Sequence, residues 1–362
     1  MSKVLVGMSG GVDSSATAYL LKEQGYDVEG LSFILWEARQ RNDFTTCCSS
    51  QAIEDASRTA SQIGIPHNSV DVRDEFIEKV IEPFVDAYTK GRTPNPCILC
   101  NRYIKFPFLL KEAEKKGAEF IATGHYAKIE RQVSSISPQP PAFLKKGIDP
   151  KKDQSYFLYV LRQKELNRLL LPLGDYKKED VRNLANKLGL PSAKRPESQE
   201  ICFIEDKNYF KFISKINPLA GATGPIMGMD GKVLGEHKGI YNYTIGQRKG
   251  LGISSPSPLY VSKIDAVKNI VYVGPQESAK IKEFEVNDLN WIVPVHPFTN
   301  SPVHQFTVKV RSMMKAEPAT ISGSSDSGTV KVIFEEPQWA PAPGQSAVFY
   351  DEDIVIGGGI II

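Results

Sequence analysis

The sequence has little net charge, few cysteines and no long apolar run, and each shortage removes a class of protein. Its 362 residues carry 44 Lys and Arg against 42 Asp and Glu, a formal charge of +2, so the chain as a whole is not a general polyanion binder. No stretch approaches the roughly 20 consecutive apolar residues of a membrane-crossing helix, and no membrane association is expected. The first residues lack the pattern of a secretory leader, a basic segment running into an apolar stretch and a small-residue cleavage site. Five cysteines in so long a chain are too sparse and uneven for the disulfide framework of a secreted protein. They read as thiols or metal ligands in a reducing compartment, and the expected location is the cytoplasm. No internal repeat is visible.

What is present is enough apolar material, 41% of residues, for two or three domains with their own cores. The first 125 residues alternate strand-like and helix-like patterns. The apolar run Val4 to Val6 precedes a helical pattern from Ser14 to about Gln24, stopped by Gly25, and then the apolar segment Val28 to Trp36. Ala52, Ile53, Ala56, Ala60 and Ile63 fall on one face of a second helix. A strand fits Ile65 to Val72, a third helix Phe76 to Tyr88, a fourth Ile104 to Lys116, and a strand Phe120 to Thr123. This order predicts an α/β fold with a doubly wound parallel sheet, whose ligands sit beyond the carboxyl ends of the strands.

After Glu205 long helical faces disappear. Gly231 to Gly235, Tyr241 to Thr244 and Tyr260 to Val273 read as short strands between Gly, Pro and Asn. Phe306 to Val310, Thr329 to Phe334 and Ala347 to Ile356 suit a small C-terminal barrel. The expected division is 1–205, 206–278 and 279–362. The Ser- and Pro-rich piece Ser134 to Pro141 predicts an exposed loop whose order depends on a partner. Between Pro141 and Arg195 thirteen Lys or Arg stand against six Asp or Glu, a local excess of seven positive charges that is either a solvated face or a phosphate-binding one.

"SGGVDSS", residues 9 to 15, lies at the end of the first predicted strand. Its glycines let backbone N–H groups approach a ligand closely, Ser9, Ser14 and Ser15 offer hydroxyls, and the following helix start favours anions. The loop is expected to hold phosphate, yet it lacks the lysine of a GxxxxGK[ST] loop. The stretch resembles the SGGxDS signature of the PP-loop, or N-type, ATP pyrophosphatases, adenine nucleotide alpha hydrolase-like proteins that split ATP between its α and β phosphates. That resemblance implies that Gly7, Met8, Ser9, Gly10, Gly11, Val12, Asp13 and Ser14 cradle ATP, with Mg2+.

In "GRTPNPCILCNRYIKF", residues 91 to 106, Pro94 and Pro96 predict an extended, stiff backbone that presents Asn95 and Cys97 from a loop. Cys97 and Cys100 form a C-x-x-C, compatible with metal, redox or no special chemistry, and Cys202 in "ESQEICFIE" offers one further sulfur. The adjacent Cys47 and Cys48 read as packing or incidental thiols.

Taken in order, "VGMSGGVDSS", "GRTPNPCILCNRYIKF", "ATGHYAK", "KKDQSYFLYVL", "ICFIE", "YTIGQRKGLGI" and "PGQSAVFY" followed by "IGGGII" make the chain resemble the tRNA-specific 2-thiouridylases, the MnmA/TrmU family, nearly end to end. The resemblance implies an ATP domain, a small central domain and a C-terminal β-barrel-like domain. It also implies an ATP-dependent exchange of the C2 oxygen of uridine 34, in a tRNA anticodon stem-loop, for sulfur. By that likeness Cys202 carries a persulfide, and Cys100 is the thiol that resolves it by closing a disulfide; each needs thiolate character, which a cation such as Lys105 or Arg102 would promote. A persulfide-delivering sulfurtransferase or cysteine desulfurase relay is implied as partner.

Phe33 and Gly124 match nucleotide-contacting positions. Asn95, Pro96, Cys97, His125, the triplet Lys152, Asp153 and Gln154, then Arg311, Ser312 and Gln345 match positions facing tRNA. Two of these depart from the family pattern. Ser312 replaces an aromatic residue, and Cys97 stands where other members place an aspartate assigned as a base; a thiol with a reference pKa of about 8.5 replaces that base poorly.

A second sulfur chemistry follows from that substitution: Cys97, Cys100 and Cys202 as ligands of a [4Fe–4S] cluster whose fourth iron binds hydrosulfide. Apart from this cluster no metal is assigned. Two further readings compete with thiolation: a PP-loop ligase related to argininosuccinate synthetase, for which the cysteines are dispensable, and a non-enzymatic metal-bound RNA-binding module.

Overall fold

The computed structural model describes residues 1–36, 50–131, 141–194, 201–204, 208–217, 221–293, 303–323 and 328–362. Cys47, Cys48 and the loop 134–140 lie outside the described residues.

The chain opens with β1 (Lys3–Gly7), α1 (Val12–Glu23), β2 (Asp27–Ile34), α2 (Ser50–Ile63) and β3 (His67–Asp71). Helical segments α3 (Arg73–Phe76) and α4 (Glu82–Thr89) follow, joined by a wider π turn at Ile77–Ile81. Next come α5 (Pro96–Cys100), a second π turn at Asn101–Lys105, α6 (Phe106–Lys115) and β4 (Phe120–Ala122). A hairpin of β5 (Ala127–Arg131) and β6 (Ala142–Lys146) leads to α7 (Gln163–Leu166), the two-residue β7 (Leu169–Leu170) and α8 (Lys178–Lys187).

The first sheet has the order β3-β2-β1-β4-β7 and is parallel throughout. Val4, Leu5 and Val6 of the central strand are fully buried because both faces are covered. Val4 and Val6 pack with Ala56 and Ala60 of α2 and Leu21 of α1, while Leu5 packs with Phe106, Leu109 and Leu110 of α6. This is the period-2 division expected of a strand sandwiched between helices. Each such Leu or Phe contributes about 1.5–3 kcal/mol by leaving water. From β1 the chain runs outward to β2 and β3, then returns to lay β4 on the other side of β1. The reversal leaves a crevice at the carboxyl ends of β1 and β4, where ligands bind in open α/β sheets.

Beyond α9 (Tyr209–Ile216), a four-stranded sheet of order β10-β11-β8-β9 is built from β8 (Gly224–Gly228), β9 (Val233–His237), β10 (Tyr260–Asp265) and β11 (Ile270–Gly274). The segment Tyr241 to Thr244, expected as a strand, is a 3-10 turn at Ile240–Asn242. Its alternate residues Tyr241, Tyr243 and Ile245 are buried, and a compact turn reproduces the alternation of a strand.

The C-terminal part is a barrel of β12 (Lys280–Trp291), β13 (Val303–Lys309), β14 (Glu317–Ser322), β15 (Val330–Trp339), β16 (Ser346–Asp351) and β17 (Ile354–Ile361). β12 pairs with β15 through its first half and with β17 through its second, closing six strands into a ring. The hairpin β5–β6 joins this sheet, not the parallel one, through Ile354 and Lys145. Side chains seal the joint: Tyr156 donates its hydroxyl to the Ser346 carbonyl at 2.8 Å, and Asn290 donates to the carbonyls of Tyr159 (2.6 Å) and Leu161 (3.0 Å).

Candidate nucleotide and thiol site

The glycine loop sits in the crevice between β1 and β4. Gly10 turns the chain at φ 73°, a left-handed conformation natural only to glycine, and Gly11 becomes the N-cap of α1. Serine hydroxyls hold the loop from within: Ser14 and Ser15 donate to the Gly11 carbonyl at 3.1 and 2.9 Å, and the Ser9 N–H donates to Ser14 Oγ at 3.1 Å. From β2, the Met8 N–H donates to the Leu31 carbonyl at 2.8 Å, and Ser32 donates to the Met8 carbonyl at 2.7 Å. Ser32 Oγ also lies 2.9 Å from Nε2 of His67, whose pKa burial lowers.

Gly124, two residues beyond β4, closes the crevice. A Cβ there would stand 2.8 Å from the Asp13 carbonyl carbon and 2.9 Å from the Ser14 nitrogen, so only glycine allows this approach to the loop. Phe33 lies near the end of β2, half-buried against both the sheet core and the cysteine cluster described next.

Asn95 is extended and accepts from the Cys97 N–H at 3.2 Å as the N-cap of α5, with Pro96 in the first helical turn. Cys97 and Cys100 are therefore helical, not on an extended loop. A proline at the first helical position loses no hydrogen bond there and has the right φ. Cys97 is exposed and Cys100, one turn later, is buried. Cys100 belongs to a cluster with Leu35, Val72, Phe76, Phe84, Phe203 and Ile204, and Cys202 packs against the same cluster. Phe203 pins that segment, its ring edge-on to Phe76 (5.7 Å) and Phe84 (5.3 Å). Leu35 and Val72 directly follow β2 and β3, so the thiol cluster and the glycine loop share the carboxyl edge of one sheet. Among the described residues no three His, Cys, Asp or Glu side chains form a metal-holding group. Cys97, Cys100 and Cys202 thus lack the arrangement of a cluster site, and the iron–sulfur alternative is not favoured. Arg102, one of two cations expected near the thiols, is committed to Asp288, which accepts from Nη2 at 2.9 Å.

The remaining positions are distributed over several elements of the chain. His125 is buried; its Nδ1 lies 2.8 Å from Thr123 Oγ1 and its ring stacks on Phe106. Burial, aided by the nearby Lys105 charge, holds its pKa well below the ordinary histidine range. Lys152 is half-exposed. Asp153 accepts from the N–H groups of Gly147 and Ser155 and from Ser155 Oγ. Gln154 accepts from the Tyr126 N–H at 3.0 Å. Arg311 Nη2 donates to the carbonyls of Ile245 (3.0 Å) and Ala340 (2.9 Å), and Ser312 is half-exposed beside it. Gln345 Nε2 donates to the Thr93 carbonyl at 2.9 Å.

One partnership has no counterpart in the sequence reading. Lys178, the first residue of α8, donates to both carboxylate oxygens of Asp13 at 2.7 Å, and Tyr126 donates to Oδ1 at 2.7 Å. The only sequence trace of this is that Lys178 falls within the positive stretch.

The three parts of the chain match three family models in order. Residues 2–206 match a tRNA methyl transferase HUP domain, 211–275 a tRNA methyl transferase PRC-barrel domain, and 281–361 an aminomethyltransferase beta-barrel domain. A tRNA-specific 2-thiouridylase of Caldanaerobacter subterraneus subsp. tengcongensis is 48% identical over 99% of this chain and 98% of its own. The chain belongs to the tRNA-specific 2-thiouridylase family. A second member, from Clostridioides difficile, is 45% identical over 99% and 98%. A 4-thiouridine synthetase solved as an RNA complex with bound ATP is similar at TM-score 0.38 and 18% identity, covering 60% of this chain and 50% of that one, too remote to add to the assignment. Among the described residues no helix is long and apolar enough to cross a membrane.

Proposed function

We propose that this member of the 2-thiouridylase family is an ATP-dependent tRNA-uridine 2-sulfurtransferase working by a cysteine persulfide. The chemistry sets what the site must do. A urea-like C2 oxygen is a poor leaving group, so the oxygen of uridine 34 first attacks the α phosphorus of ATP. The bond to the bridging oxygen breaks and its electron pair leaves with diphosphate. The terminal sulfur of a persulfide on Cys202 then attacks C2, and AMP departs with the oxygen. Cys100 thiolate attacks the Cys202 sulfur, which frees the 2-thiouridine and leaves a Cys100–Cys202 disulfide for an external thiol to reduce.

The observation that carries this reading is the position of both functions on one sheet edge: the glycine loop beyond β1, and the cluster holding Cys100 and Cys202 beyond β2 and β3. In this reading Gly7 to Ser14, Phe33 and Gly124 receive ATP with Mg2+ on its phosphates. Asn95, Pro96, Cys97, His125, Lys152, Asp153, Gln154, Arg311, Ser312 and Gln345 form the tRNA side. Buried His125 and half-buried Asp153 and Gln154 act there by shaping the turns that meet RNA, and Lys152 by contacting phosphate. The sulfur arrives from a persulfide relay, in the cytoplasm where tRNA resides.

The test is an incubation of purified protein with ATP, Mg2+, a persulfide donor and a tRNA transcript carrying uridine 34. Equal yields of 2-thiouridine, AMP and diphosphate support the proposal, with no requirement for added iron. Diphosphate release without base modification, or modification only after iron reconstitution, rejects it.

A further inference from the structure

The glycine loop has no lysine of its own, yet an ammonium group stands beside its Asp13. Lys178 Nζ is 2.7 Å from both oxygens of Asp13, in the first turn of α1. Its side chain is only 11% exposed, against 33% for Asp13. The lysine arrives from α8, which packs against α1. The backbone N–H of Lys178 donates to Asp149 at 3.0 Å, and its ammonium lies over the Tyr126 ring at 5.6 Å. Tyr126 is held in turn by Gln154.

An ammonium at the amino end of a helix opposes the helix dipole. Lys178 holds its ammonium there against the Asp13 carboxylate, so a cation and the amino end of α1 lie together at the crevice. A polyphosphate is the anion that such a pairing would receive beside the loop.

Resting on the ATP reading given above, we propose that Lys178 is the phosphate-binding cation of this site. It does from a distant helix what the loop lysine does in GxxxxGK[ST] proteins, and it contacts the diphosphate portion of ATP. When uridine attacks the α phosphorus and the α–β bridge breaks, negative charge accumulates on the departing diphosphate, and a fixed ammonium there favours the departure. Asp13 is then the resting partner that keeps Lys178 extended into the crevice before nucleotide arrives.

The experiment is calorimetric titration of the full-length protein with inorganic diphosphate in metal-free buffer, without tRNA. Wild type binds. Lys178→Met binds at least about tenfold more weakly, the scale of a lost charge-assisted contact, and Lys178→Arg recovers part of the loss. Asp13→Asn weakens binding less than Lys178→Met does, because it removes a carboxylate and leaves the cation. The double variant Asp13→Asn/Lys178→Met, which removes both charges of the pair, binds as weakly as Lys178→Met and carries the test if the single variant misfolds. Unchanged affinity in Lys178→Met, or equal weakening in Lys178→Met and Asp13→Asn, overturns the proposal and reduces the pair to a structural one. If wild type binds neither diphosphate nor ATP, the ATP reading of the loop fails with it.

Discussion

The Gln345 side-chain amide donates to the Thr93 carbonyl at 2.9 Å, and the Thr93 N–H donates to the Pro343 carbonyl at 2.7 Å. Both backbone groups of the residue that leads into the Asn95 cap are thus held by the C-terminal barrel. Between them lies Gly344 at φ 91°, where a Cβ would stand 3.0 Å from the Thr93 nitrogen and 3.2 Å from its carbonyl carbon. Gly344→Ala is therefore expected to cost about 1–3 kcal/mol in urea unfolding. It should also lower thiolation more than ATP binding, because it displaces the cysteine helix and leaves the glycine loop in place.

Cys202→Ser and Cys100→Ser should each abolish 2-thiouridine formation while the protein still binds ATP. With excess tRNA, Cys202→Ser should release diphosphate in one turnover and then stall, since adenylation precedes sulfur attack. Quenched-flow measurement of diphosphate beside nucleoside mass spectrometry checks this. Full turnover in the Cys100/Cys202 double alanine variant would point to the ligase reading instead.

Cys97 is exposed in the first turn of α5. A carboxylate there faces the positive end of that short helix, so Cys97→Asp should be neutral or stabilising by about 0.3–1 kcal/mol at low salt. Chemical denaturation at two salt concentrations is the measurement. If the aspartate also serves as a base for the target uridine, the same variant should raise the thiolation rate at neutral pH.

His125 links stability to acidity. Its folded pKa lies well below the ordinary value of 6.5, chiefly through burial, so the unfolded chain binds the proton more readily. Its contribution is fully present above pH 6.5 and is lost as pH falls below that value toward the folded pKa. His125→Gln should flatten the decline in melting temperature between pH 7 and pH 5. His67, lowered by burial as well, should contribute a residual slope in the same direction.

Arg311 ties the barrel to the segment that precedes β10 by donating to the carbonyls of Ile245 and Ala340. Arg311→Ala leaves both acceptors without that donor and should cost about 1–3 kcal/mol. The dependence of tRNA affinity on salt distinguishes this strut from a phosphate contact, whose loss would reduce the slope of log affinity against log salt by about one.

The parallel sheet and the glycine loop were legible in the sequence because each follows from a local rule. A buried strand must be apolar, and a left-handed turn beside a phosphate must be glycine. The helix start at Asn95 and Pro96 was misread because a proline at the first helical position has the same local signature as a proline in an extended loop. The pairing of β5–β6 with the barrel was invisible, since the period of a strand gives its faces and not its neighbour. Lys178 and Asp13 meet across 165 positions, and Gln345 and Thr93 across 252. No spacing rule reaches so far.

The hairpin β5–β6 lies between β4 and β7 of the parallel sheet in the chain, yet its hydrogen bonds belong to the barrel. Gene fragments cut at the apparent module boundary would therefore strand a ribbon in one half and leave the start of β17 without its β6 neighbour in the other. Swapping ATP modules between relatives would succeed only when the matching barrel travels with them.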